Sequence, residues 1–260
     1  MKPKVLVLTG YGINCDYESA HAFRLAGAKA DIVHINDLIN KKTCLDEYKI
    51  LCFPGGFSYG DDTGSGKALA NKIKNHLLDA LEDFVSDDKL AIGVCNGFQV
   101  MVNLGLLPGE PTTALVHNNT ARYNCRWVDL EFASDSPWTK DIGTISLPIA
   151  HGEGRFYAEP AVLKELNENN QVAARYISGE VCSYQHLPAN PNGALEDIAS
   201  ITDSTGRLIG MMPHPERAVD MKPHVKYYWL KDHYKRIGKK MPTEGPGLKL
   251  FRNAVAYFNK

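Results

Sequence analysis

Leu90-Ala91-Ile92-Gly93-Val94-Cys95-Asn96-Gly97-Phe98-Gln99 is the stretch from which the fold of this chain is read. Residues 90–94 carry no charge and no polar alternation, as a strand buried on both faces requires. Residues 97–104 have helical spacing and stop before Gly105. Between them, Gly93-Val94-Cys95-Asn96-Gly97 has the form glycine, any, nucleophile, any, glycine: a strand–turn–helix with a reactive side chain at its tip. Flanking glycines let neighbouring backbones pass close to a tip residue held in a strained turn. The helix that starts there aims the positive end of its dipole at the sulfur, which favours thiolate. The Asn96 amide points to the place where an oxyanion would form. The same pentapeptide also suits a small residue packing strand to helix, and a buried cysteine is commonly inert. Alone it leaves both readings open.

Outward from this stretch, strand and helix alternate. Strands are expected over 5–9, 30–35 and 50–53, and helices over 16–26, with a cap-like Asp16, and over 66–85. Alternation with continuous apolar strands implies an α/β fold built on an open, mostly parallel sheet with helices on both faces. The middle, 114–199, reads as shorter β segments such as 127–132 and 144–149, a mixed or antiparallel extension of that sheet. A late strand is expected over 207–212 and a terminal helix over 247–257. No linker, repeat or low-complexity tract divides the 260 residues. The expectation is one domain over 1–260, with 218–260 a C-terminal extension and helix.

Two further segments fall at the carboxyl ends of strands, where open α/β sheets form their crevice. In Met212-Pro213-His214-Pro215-Glu216, proline disfavours helix for His214. An extended segment would project His214 and Glu216 to the same side. A carboxylate beside an imidazole fixes its tautomer and stabilises the imidazolium; a surface proline-rich turn is the plainer reading. Pro54-Gly55-Gly56 follows a buried strand, so a bare backbone can approach a substrate and supply oxyanion donors, or simply turn. Together on one sheet, the three segments make a Cys–His–Glu catalytic site the favoured reading.

The bulk numbers exclude several classes. Net charge is −1, and a nucleic-acid or anionic-membrane surface needs a positive footprint. The basic run Lys222, Lys226, Lys231, Lys235, Arg236, Lys239, Lys240 is interrupted by acidic and aromatic residues and reads as a solvated helix or a docking surface. The first residues contain no signal-peptide core and no run spans a bilayer, so the expected compartment is the cytoplasm. Six scattered cysteines form no C-x-x-C pair and read as reduced, mostly buried thiols. Residues 61–68 echo a phosphate loop without its first glycine or its final Ser/Thr. Gly10-Tyr11-Gly12 lacks the third glycine of a dinucleotide fingerprint, and no metal-ligand set stands out. No cofactor is therefore expected on this chain.

The sequence resembles the class I (triad) glutamine amidotransferases, and within them the PurQ-type glutaminase subunits of phosphoribosylformylglycinamidine synthase. The match runs through Gly-Ile-Asn-Cys-Asp (12–16), Pro-Gly-Gly-Phe-Ser-Tyr-Gly-Asp (54–61) and Gly-Val-Cys-Asn-Gly-Phe-Gln (93–99). It continues in Pro-Ile-Ala-His-Gly-Glu-Gly-Arg-Phe (148–156), Asn-Pro-Asn-Gly (190–193) and Gly-Met-Met-Pro-His-Pro-Glu-Arg-Ala (210–218). The resemblance implies a flavodoxin-like sheet and Cys95 as nucleophile, with His214 as general base and acid and Glu216 behind it. It implies Gly56 and Asn96 as oxyanion donors and Gln99 in the glutamine pocket, and it locates His151 and Glu153 near the site or an interface. It implies glutamine as substrate and no metal here. ATP and Mg are used on a separate PurL-type synthetase subunit, with a PurS-type small subunit as bridge. The chain departs from the family pattern at Asp62-Thr63-Gly64-Ser65-Gly66, where an aromatic and an arginine are usual, and in its longer segment after Ala218. A free-standing cysteine hydrolase or peptidase of similar fold, a redox-cysteine binding protein, and an amidotransferase serving another synthetase remain as alternatives.

Overall fold

Strand β1 (Lys4–Thr9) opens the chain, followed by α1 (Asp16–Leu25), β2 (Lys29–His34), a short α2 (Ile35–Ile39), β3 (Ile50–Phe53), α3 (Lys67–Ser86), β4 (Leu90–Val94) and α4 (Asn96–Leu104). The second half holds β5 (Ala114–Val116), β6 (Asn124–Phe132), β7 (Thr144–His151), β8 (Arg155–Tyr157), α5 (Pro160–Glu168), β9 (Val172–Ile177), α6 (Glu180–Gln185), β10 (Ile198–Thr202), β11 (Leu208–Met211), α7 (Tyr227–Arg236) and α8 (Leu248–Tyr257). This is a computed structural model, describing residues 2–109, 112–133 and 136–259.

Nine strands form one sheet in the order β2-β1-β3-β4-β11-β10-β9-β6-β7, and β5 pairs with β8 in a separate ribbon. The pairs from β2 to β11 are parallel. Those from β11 onward are antiparallel, as the mixed extension expected from 114–199 requires. Every residue of β3, β4 and β11 is buried, which a parallel sheet achieves only with both faces covered. β1 has β2 on one side and β3 on the other, so the direction of winding reverses there. The crevice outside the carboxyl ends of these strands is where α/β sheets bind ligands.

Three local differences from the sequence reading have physical causes. Asp16 is the first helical residue of α1 rather than its cap, because its carboxylate takes the Thr9 hydroxyl at 2.5 Å and the Tyr17 amide at 3.0 Å. Strand β7 runs two residues beyond the expected end, to His151. It is an edge strand, so Pro148 costs no ladder bond on its open side. There its carbonyl accepts the His214 amide at 2.8 Å, bringing the free edge of β7 back to the end of β11. Helix α7 has no buried residue, as a solvated helix should, but the preceding Lys226 is buried. It pairs with Glu180 and lies 4.2 Å from the Trp229 ring centroid. No described helix is long and apolar enough to cross a membrane.

Phe98, one turn past the elbow, locks the two strands that carry the site. It is buried against Gly210 of β11, where a Cβ would fall 2.1 Å from its ring. Removing such a ring costs about 3–5 kcal/mol and would release α4 from β11.

Candidate active site

Cys95 joins β4 to α4 with φ 51° and ψ −106°, a backbone conformation that side chains rarely tolerate and that persists only where surroundings enforce it. The flanking glycines provide that enforcement. A Cβ on Gly97 would lie 1.8 Å from the Phe53 carbonyl oxygen, and one on Gly93 would lie 2.6 Å from the Gly97 carbonyl oxygen. Strand β3, strand β4 and helix α4 therefore close on one another without side chains between them. The Cys95 amide donates to Met211 O at 2.7 Å, and its thiol lies 3.7 Å from Ala150 O. The nucleophile is thus held by β11 behind it and β7 beside it.

His214 and Glu216 meet by a different route from the extended one. Proline at 215 starts a 3-10 turn (Pro215–Ala218), and His214 stands at its N-cap with φ −104° and ψ 89°. The turn brings Glu216 Oε1 to 2.6 Å from His214 Nδ1, with both side chains buried. A carboxylate only accepts, so Nδ1 carries the proton and Nε2 faces the chemistry. Among the described residues, Nε2 has no hydrogen-bond partner. Burial opposes a charged ring, but the Glu216 carboxylate and then Cys95 and Cys15 outweigh it and hold His214 well above the usual imidazole value. Gly55 passes directly over that ring: a Cβ there would lie 2.8 Å from His214 Cε1.

The putting-together of the oxyanion side follows from the loop after β1. Gly56 bridges to Ile13, the Phe57 amide donates to Gly12 O at 2.8 Å, and the Cys15 amide donates to Gly55 O at 3.2 Å. A Cβ on Gly56 would meet Gly12 O at 2.6 Å. Among the described residues, the amides of Gly56 and Asn96 donate to no protein acceptor, so both are free for a ligand. The Asn96 side chain ties loop to helix, accepting the Ser58 amide at 3.2 Å and donating to Gln99 Oε1 at 3.0 Å. Gln99 in turn donates to Glu153 O at 2.5 Å. Gly56, Cys95, Asn96, Gln99, His214 and Glu216 thus belong to one connected cluster.

A buried Cys–His–Glu set at a strained elbow, with two free amides beside it, is an apparatus for acyl transfer. Comparison with known proteins bears on which kind. The model of the CobB/CobQ-like glutamine amidotransferase domain matches residues 2–258. The phosphoribosylformylglycinamidine synthase subunit PurQ of Methanococcus maripaludis is 52% identical, over 99% of this chain and 98% of its own length. The chain belongs to the PurQ family of glutamine amidotransferases. The Dehalococcoides mccartyi PurQ is 41% identical over 98% of both chains. The solved PurLQS structure from Thermotoga maritima contains a chain that is 31% identical with a TM-score of 0.72, covering 99% of this chain and 100% of that one.

Within this PurQ-family chain, the sequence reading missed Cys15, grouping it with the inert thiols. It accepts from Arg217 Nη2 at 3.0 Å and lies within 4.8 Å of the His214 and Glu216 ligand atoms. Those three residues are the metal-type cluster among the described residues, and the Arg217 guanidinium on the sulfur opposes a cation there. The signal was position: Cys15 ends the loop after β1, facing the same crevice. Phe57 and Tyr123, both partly exposed with ring centroids 6.2 Å apart, flank the cluster. His151 is buried. Asn118 donates through Nδ2 to Arg122 O and His151 O, so its Oδ1 must accept from His151 Nδ1 at 3.1 Å and from the Gly154 amide at 3.2 Å. His151 is a strut, and its ring fills the space a Cβ on Gly154 would need. All six cysteines are free, with Cys44 and Cys125 exposed.

Proposed function

We propose that this chain is the glutaminase subunit of a phosphoribosylformylglycinamidine synthase. The observation that carries the reading is Cys95 at a strained elbow beside the buried His214–Glu216 pair, in a chain 52% identical to a PurQ subunit along its length. Cys95 sulfur attacks the side-chain carbonyl carbon of glutamine, and its proton is held on His214. The amides of Gly56 and Asn96 take the oxyanion. Collapse breaks the C–N bond while His214 protonates the leaving nitrogen, giving ammonia and a glutamyl thioester. Water then attacks the thioester, His214 accepting its proton, and glutamate leaves. Gln99, anchored on Glu153, lines the pocket for the amino-acid end.

The ammonia goes to a PurL-type subunit that uses ATP and Mg to turn formylglycinamide ribonucleotide into its amidine, with a PurS-type subunit completing the cytoplasmic complex. Residues 1–260 act as one amidotransferase domain, with 218–260 its extension. The test is Cys95→Ser in the assembled enzyme. Glutamine-dependent amidine formation is abolished and ammonia-dependent synthesis is kept. Loss of both activities from an intact complex would refute this division of labour.

A further inference from the structure

The two halves of the catalytic apparatus come from parts of the chain far apart in sequence. Gly56, whose amide is free, sits on the loop after β3, and that loop is laid against the one after β1. Gly56 bridges to Ile13, and the Asn14 and Cys15 amides both donate to Gly55 O, at 3.3 and 3.2 Å. His214 and Glu216 belong instead to the 3-10 turn at Pro215–Ala218. Acyl transfer needs the two halves in one fixed relation, because a misplacement of about 1 Å costs roughly 100-fold in rate.

A side chain from each half meets at the Cys15 sulfur. Arg217, the residue after Glu216, donates through Nη2 to Cys15 Sγ at 3.0 Å, and its Nε lies 4.0 Å from Glu216 Oε1. The thiol in turn donates to Asn14 Oδ1 at 3.2 Å. A Cβ on Gly55 would lie 3.2 Å from Cys15 Sγ and 2.8 Å from His214 Cε1, so sulfur and imidazole flank the same bare Cα. The sulfur is within 4.8 Å of ligand atoms of both His214 and Glu216. Cys15 is itself anchored to α1, its carbonyl accepting the Ser19 amide at 3.0 Å and the Ser19 hydroxyl at 2.6 Å.

A buried cysteine is ordinarily a small hydrophobe, and Cys15 is fully buried. Its sulfur nonetheless meets a guanidinium, an amide oxygen and the ring of the catalytic histidine. Sulfur is a weak acceptor, but a charged donor strengthens the bond it accepts.

We propose that Cys15 and Arg217 are positioning residues for thioester formation. Their hydrogen bond latches the loops that carry the Gly56 amide to the turn that carries His214 and Glu216. They act through the groups they hold, not on the substrate. The latch serves the chemistry of Cys95 and therefore rests on the glutaminase reading of that residue.

Single-turnover thioester formation in the assembled enzyme tests this, with Cys15→Ala, Cys15→Ser, Arg217→Met and the Cys15→Ala/Arg217→Met double variant. Cys15→Ala and Arg217→Met should each lower the maximal rate about tenfold, the size expected for a bond from a charged donor. The glutamine concentration at half-saturation should change less than about threefold, and ammonia-dependent synthesis should be unchanged. Cys15→Ser keeps an acceptor in place and should recover most of the rate, whereas an inert core thiol would be replaced by serine no better than by alanine. Both single variants open the same latch, so the double variant should be no slower than the worse of the two. The Arg217 side chain is partly exposed, so Arg217→Met tests the latch without disturbing the core. Unchanged rates in Cys15→Ala and Arg217→Met would overturn the proposal. So would losses that multiply in the double variant, or a loss confined to half-saturation, which would place Arg217 on the substrate. Cys95→Ser separates the two readings: an enzyme that still uses glutamine refutes the glutaminase assignment. An inactive Cys95→Ser beside unimpaired Cys15→Ala and Arg217→Met refutes the latch alone.

Discussion

His214 is asked to do two things that burial alone opposes: take up a charge while buried, and give that charge up during the reaction. The Glu216 carboxylate at 2.6 Å makes the first possible, and the unpartnered Nε2 makes the second possible. Removal of the ring should therefore be far more damaging than removal of the charge behind it. His214→Ala is expected to lower single-turnover thioester formation by roughly 10³-fold or more, and Glu216→Gln by less. The pH profile separates the two roles. A raised imidazole value means that the proton stays on His214 to higher pH, so Glu216→Gln should move the alkaline limb of glutaminase activity downward. An unmoved limb would mean that Glu216 does not set the charge of His214. At this scale the sequence was legible where chemistry needs particular side chains at fixed spacing, as in Cys95 and the His214-Pro215-Glu216 step. It was not legible for Cys15 or Arg217. Their importance comes from distance in space, 202 residues apart in the chain and 3.0 Å apart in the fold. The extended reading of 214–216 reached the right pairing by the wrong geometry, because proline also starts a 3-10 turn.

Among the elements, β7 has a larger role than its sequence suggested. Its open edge takes the His214 amide through Pro148 and stands beside Cys95 through Ala150, and its last residue, His151, pins the β5 ribbon through Asn118. Edge pairing of this kind leaves no period or composition signal; the apolar run ended at 149, while the strand continued into a polar block. His151 gives the element a pH signature. Its Nε2 is buried without a partner among the described residues, and burial, then the nearby charge of His214, push the ring down to about 3. A depressed base favours the neutral ring, so its contribution to stability is complete above the unfolded value near 6.5. It is lost as pH falls from there toward about 3. His214 has the opposite sign, its contribution being present at low pH and lost as pH rises through its raised value. Urea unfolding at pH 7.5 and pH 5 should therefore show a smaller acid-induced loss in His151→Asn than in wild type. The variant should also be less stable at the higher pH, because the ring that packs on Gly154 is gone. An identical acid loss in both proteins would remove His151 as the cause.

For the molecule as a whole, the parallel half of the sheet was readable because its strands are continuous apolar runs between amphipathic helices. The antiparallel half was readable only as a class. The loop after β3 decides how the whole protein behaves with a partner. Tyr59, Gly60 and Asp61 hold positive φ values of 57°, 80° and 58° in succession. Non-glycine residues there cost about 1–2 kcal/mol each. The loop is nonetheless fastened, by the Tyr59 amide to Tyr11 O, by Asn96 to the Ser58 amide and by the Ser65 amide to Glu153. Strain balanced against a few hydrogen bonds makes a segment that a docking surface can shift, since only differential contact with two states is needed. The contact available is the partly exposed Phe57–Tyr123 pair, which flanks the catalytic cluster. Ammonia released into neutral water is mostly protonated and lost as a nucleophile, so hydrolysis without a partner is wasteful. Glutamate release from the isolated chain should therefore be slow, rising at least tenfold when a PurL-type subunit docks with its nucleotide bound. Phe57→Ala should blunt that rise while leaving the slow basal rate close to wild type, because the side chain is at the rim and the residue is tied through its backbone, its amide to Gly12 O and its carbonyl to the Gly60 amide. An isolated chain that releases glutamate as fast as the full complex would mean that the site is always formed and that docking serves only to pass ammonia on.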